Sequence, residues 1–84
     1  MNIYVSNLGF NVDREELKKL FSPYGIVASV NVILDKLTNK SRGFAFIRMQ
    51  NNAGAQKAMR ELNGAMIDGR PLSVIEARRN ERLF

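Results

Sequence analysis

The octapeptide Arg42-Gly43-Phe44-Ala45-Phe46-Ile47-Arg48-Met49 sets two aromatic rings and two guanidinium groups on alternate positions. In an extended strand successive side chains point to opposite faces, so Arg42, Phe44, Phe46 and Arg48 share one face and Ala45, Ile47 and Met49 the other. A half-buried strand ordinarily hides its phenylalanines and shows small or polar groups to water; here the pattern is inverted. Slipping the strand by one residue would shelter the rings but bury both arginines, which costs far more than leaving two rings exposed. Flat rings beside positive charge on an open sheet suit nucleobases on a phosphate chain. Stacking supplies sequence-tolerant affinity, and arginine supplies the charge.

The rest of the composition narrows the chemistry. The 84 residues carry 13 Lys and Arg against 8 Asp and Glu, a formal net charge of +5, and the pI near 10.1 favours a polyanionic partner. Lys36, Lys40, Arg42 and Arg48 crowd around the octapeptide, and Arg78, Arg79 and Arg82 crowd the C-terminus. With no cysteine and no histidine, the chain has no thiolate nucleophile, no imidazole base, no disulfide, and no metal or haem site of the usual kinds. No catalytic residue, cofactor or small-molecule substrate is expected. An apolar strand-like run begins at Ile3, so no secretory leader is expected, and no stretch has the apolar length of a membrane span. The expected setting is the cytoplasm, without a membrane partner.

Elements that would hold the octapeptide in place can be read along the chain. Ile3 to Leu8 is a β-rich run ended by Gly9, with Ile3 and Val5 on one face and Tyr4 and Ser6 on the other. Asp13 and Glu16 stand at capping-box spacing, and Val12 and Leu17 are placed to staple the helix start. Leu17, Leu20, Phe21 and Tyr24 follow at helical spacing until Pro23-Tyr24-Gly25 closes the helix. Ile26 to Leu34 reads as a second strand, with Val30 and Val32 buried and Asn31 and Ile33 outward. The polar segment 35–41 makes a hairpin into the octapeptide strand. Asn51 or Asn52 caps a second helix whose buried stripe is Ala55, Ala58, Met59 and Leu62, and Asn63-Gly64 ends it. Residues 65–70 form a turn, and Leu72 to Glu76 a last strand with Leu72 and Val74 inward. The order βαββαβ specifies an α+β, ferredoxin-like sandwich: a four-stranded antiparallel sheet with two helices on one face and the other face bare. The first and third strands are central neighbours in this arrangement, so Tyr4, Phe44 and Phe46 meet in the middle of the bare face.

The octapeptide resembles the RNP octamer of the RNA-recognition motif (RRM), Lys/Arg-Gly-Phe/Tyr-Gly/Ala-Phe-Val-x-Phe/Tyr. Ile3 to Leu8 resembles the accompanying hexamer, with Tyr4 as its aromatic second residue and Asn7-Leu8 as its ending. The likeness covers Asn2 to Ala77 and includes the Gly69-Arg70-Pro71-Leu72 lead into the last strand. It extends to the small one-domain RRM proteins of bacteria, with residues 1–77 as the domain and 78–84 as a short basic tail. The resemblance implies that Tyr4 and Phe46 each stack on a base, that Phe44 packs against the sugars between them, and that Arg42 pairs with a phosphate. Met49 departs from the consensus aromatic, but alternation turns it inward and leaves the stacking face intact.

Around these residues, Arg48, Lys40 and Arg78 are candidate phosphate contacts. Asn31 and Ile75 point to the same side as the rings and are candidates for base discrimination, as are Ile33 and Ser73. Phe10 and Phe21 lie off the bare face and read as core or loop anchors. The expected partner is a single-stranded RNA bound by a monomer, in post-transcriptional regulation or RNA chaperoning; single-stranded DNA offers the same stacking faces. An acylphosphatase-like enzyme on this scaffold would need a catalytic Arg beside an anion-cradling first turn, and Asn7-Leu8-Gly9-Phe10 has none. The alternative is a protein-docking module, since exposed aromatics also make interface hot spots. Salt dependence separates it from nucleic-acid binding.

Overall fold

The computed structural model describes residues 1–9, 12–34, 36–38 and 41–77, together with the backbone but not the side chains of residues 41 and 42. Along the chain run β1 (Asn2–Ser6), α1 (Arg14–Phe21), a 3-10 turn (Ser22–Tyr24), β2 (Val27–Leu34), β3 (Ser41–Met49), α2 (Asn52–Leu62), β4 (Met66–Ile67), β5 (Arg70–Pro71) and β6 (Ser73–Ala77). Four strands form an antiparallel sheet in the order β2-β3-β1-β6, with β4 and β5 as a separate two-stranded hairpin. This is the expected ferredoxin-like sandwich, with β1 and β3 as the central pair.

One face of the sheet is dry. Ile3, Val5, Ala45, Ile47, Met49 and Val74 are buried there against Leu17 and Phe21 of α1 and Ala55, Ala58 and Leu62 of α2. Both helices start as their sequences direct. Asp13 Oδ1 accepts from the Glu16 amide at 2.9 Å, and Asn51 Oδ1 accepts from the Gly54 amide at 2.9 Å. Each cap satisfies an amide that the helix itself cannot, an arrangement worth about 1 kcal/mol. Val12 and Leu17, the two ends of the expected staple, are both buried in the core cluster. Gly54 lets α2 lie directly on the 3-10 turn, because a Cβ there would overlap the Tyr24 carbonyl oxygen. The Tyr24 hydroxyl donates to Glu61 Oε1 at 3.2 Å. Partial burial, and then the Glu61 carboxylate, raise its pKa.

Four details depart from the sequence reading. Strand β1 stops at Ser6, because Asn7 takes a left-handed backbone with φ 64°. Val32 is half-buried, since the β2–β3 register shifts beside it and turns the end of β2 off the core. Segment 65–70 is more than a turn: Met66 and Ile67 pair with Pro71 and Arg70 across Asp68-Gly69. Both turn residues have positive φ, 54° and 77°, as the tight primed hairpin turn demands, and Asp-Gly is its strongest sequence signal. Leu72 is buried as expected but precedes β6; its amide and carbonyl bond instead to Ala65 and Gly64 at the end of α2.

Candidate nucleic-acid interface

The second face of the sheet carries the rings. Cross-strand pairing sets Tyr4 opposite Phe46, and Ser6 opposite Phe44. The centroids of Tyr4 and Phe46 are 5.3 Å apart, those of Tyr4 and Phe44 5.8 Å, and those of Phe44 and Phe46 6.4 Å. The two phenylalanines meet edge to face at 87°, and Tyr4 is tilted 46° from each. Such tilted and edge-on contacts are the arrangements that ring quadrupoles favour. All three rings are half-buried, although the sequence reading left them on a bare surface. Each shelters part of its neighbours.

Register across all four strands builds two ordered rows. The first runs Asn31, Phe46, Tyr4, Ile75, so the ring pair is bracketed by an exposed amide on one edge strand and an aliphatic side chain, 53% exposed, on the other. The second runs Ser29, Arg48, Asn2, Ala77. Phe44 extends the ring pair on the far side, in line with Ser6 and Ser73. Arg48 is exposed and is the charged side chain of these rows among the described residues; no carboxylate stands in them. Glu76 is the partner of Ile3 and belongs to the opposite face. The surface is therefore aromatic at its centre and polar around it, with positive charge at one end.

The sequence-predicted residues sort cleanly against this geometry. Tyr4, Phe44, Phe46, Asn31, Arg48 and Ile75 come together on one face, and Ser73 joins them. Met49 is fully buried, as its alternation required, and so is Phe21. Lys40, Arg78 and Phe10, with the side chain of Arg42, lie outside the described residues. Sequence reasoning passed over Asn2 and Ser29, which flank Arg48. Alternation from Tyr4 and from Asn31 places each on the right face, but only the pairing register shows that they neighbour the arginine.

Among the described residues no group of three or more His, Cys, Asp or Glu could hold a metal ion. No helix among them is long and apolar enough to cross a membrane.

Comparison with known proteins agrees with the architecture. The putative RNA-binding protein RbpE of Nostoc is 42% identical over 81 residues, covering 96% of this chain and 82% of that protein. The chloroplast RNA-binding protein CP29B of Arabidopsis thaliana is 45% identical over 74 residues. This chain spans 26% of CP29B's length and 22% of the similar chloroplast 29 kDa ribonucleoprotein's. Among solved structures, RNA binding protein PG1 superposes with a TM-score of 0.91 at 43% identity, covering 98% of this chain and 99% of that one. The family model of the RNA recognition motif matches residues 3–73, from the start of β1 to the start of β6, and the chain belongs to that family.

Proposed function

We propose that the open face of the sheet binds single-stranded RNA. The observation that carries this reading is the cluster of Tyr4, Phe44 and Phe46 within 5.3 to 6.4 Å of one another, in rows that hold no carboxylate among the described residues. Tyr4 and Phe46 each stack on a base and Phe44 packs on the intervening sugars. Arg42, Arg48, Lys40 and Arg78 neutralise phosphates. Asn31 and Ile75, at the two ends of the ring row, discriminate among the bases that reach them. Residues 1–77 act as the binding domain and 78–84 as a basic extension of it. The domain works as a monomer, without cofactor or catalysis, in post-transcriptional regulation or RNA chaperoning. Relatives named as RNA-binding proteins support the choice of ligand.

Stacking on a ring requires an unpaired base, and the groove of an A-form duplex hides base edges from side chains. Opening each duplex step costs a few kcal/mol, about what one stacking contact returns. A duplex should therefore displace a labelled single strand at least tenfold more weakly than the unlabelled single strand does, measured by competition anisotropy at fixed salt. Equal competition would assign binding to the basic surface and end the stacking reading. A single-stranded DNA arm tests how far the 2′-hydroxyl contributes.

A further inference from the structure

The pairing of β2 with β3 shifts register at the edge of the ring cluster. Val32 of β2 pairs with Ala45, but Leu34 pairs with Ser41, so two steps along β2 face four along β3. The surplus residues bulge out of the ladder around Gly43, whose backbone is left-handed at φ 95°. An L side chain rarely adopts that conformation, and positive φ is how a strand absorbs extra residues at a bulge. Gly43 does not owe its place to lack of room. A Cβ built there has the Leu8 carbonyl oxygen at 3.7 Å as its nearest neighbour, an ordinary contact. Its carbonyl accepts from the Leu8 amide at 2.9 Å, which ties the bulge to the left-handed turn at the end of β1.

We propose that Gly43 is a positioning residue: its left-handed backbone and the Leu8 tie set the direction from which Phe44 meets Tyr4. The inference rests on the reading of the open face as a single-strand platform. Phe44 is the next residue along the chain, its ring lies 5.8 Å from Tyr4, and its strand partner is Ser6. If φ at residue 43 relaxes to an extended value, the peptide leading into Phe44 rotates and the bulge closes. Ala45 and Phe46 remain held by their ladder partners on both sides. Ligand binding must then restore the bulge before Phe44 can contribute.

The test is a double-mutant cycle on affinity for a fluorescein-labelled random-sequence RNA octamer, with Gly43→Ala, Phe44→Ala and their combination. Gly43→Ala is expected to weaken binding about tenfold and Phe44→Ala to a similar degree, with the double variant no weaker than Phe44→Ala alone. In the free protein, the Tyr4–Phe44 ring cross-relaxation should fall while that of Tyr4–Phe46 persists. Gly43→Asn should lose less than Gly43→Ala, because asparagine tolerates positive φ better. Additive losses, an unchanged affinity in Gly43→Ala, or unfolding of both Gly43 variants would overturn the assignment. If Phe44→Ala and Phe46→Ala both bind as the parent does, the platform itself is refuted, a result distinct from any failure of Gly43.

Discussion

Replacing Phe46 by alanine removes the ring that meets Tyr4 at 5.3 Å and Phe44 at 6.4 Å, in the row between Asn31 and Tyr4. One stacked base is worth about 1–3 kcal/mol, so the dissociation constant for a single-stranded RNA should rise about 5- to 150-fold. The cost to folding is smaller. Two ring pairs are lost, each contributing about 0.5–1.5 kcal/mol, and the lower value applies because the rings are only half-buried. Loss of these ring contacts costs about 1 kcal/mol of stability, a melting shift of about 4–8 °C. A domain of this length holds roughly 4–13 kcal/mol, so the variant remains folded at room temperature. Fluorescence anisotropy on a labelled single strand and a circular-dichroism melt of the same preparation read the two effects separately. A loss of binding under twofold would refute the stacking role of Phe46. A melting shift beyond about 15 °C would show that the ring belongs to the core rather than to the ligand face.

The neighbouring position supplies the opposite signature. Ile47 is buried on the helix face, so Ile47→Ala should cost about 2–5 kcal/mol of stability by thermal or urea unfolding, with the affinity of the folded fraction unchanged. Charge is read from salt: with about two to four phosphates neutralised, log affinity should fall against log salt with a slope near −0.7 per contact. Arg48→Ala should flatten that slope by about one contact and weaken different sequences equally. An affinity indifferent to salt would favour the protein-docking alternative.

Much of the site was legible because it obeys rules that act within a few residues. The period of two in 42–49 places Phe44, Phe46 and Arg48 on one face and Ile47 and Met49 on the other, whatever the strand pairs with. Asp13 and Asn51 announce their helices because a cap is made with amides three residues ahead. Asp68-Gly69 was equally local, but its two flanking pairs are too short for alternation to mark them as strands.

What remained hidden depends on partners far along the chain. That Asn31, Phe46, Tyr4 and Ile75 share one row follows from hydrogen-bonded pairing between segments up to 71 residues apart, from Tyr4 to Ile75. The bulge at Gly43 exists only because β2 and β3 meet with unequal spacing, and the same shift leaves Val32 half-buried. The half-burial of the rings has the same origin, since each is covered by another strand's side chain. The faces of the strands, the helix starts and the residue types of the platform follow from the local order of residues alone. The tertiary structure decided their distances and neighbours, because a strand's alternation is a property of its own backbone whereas its register is a property of the pair.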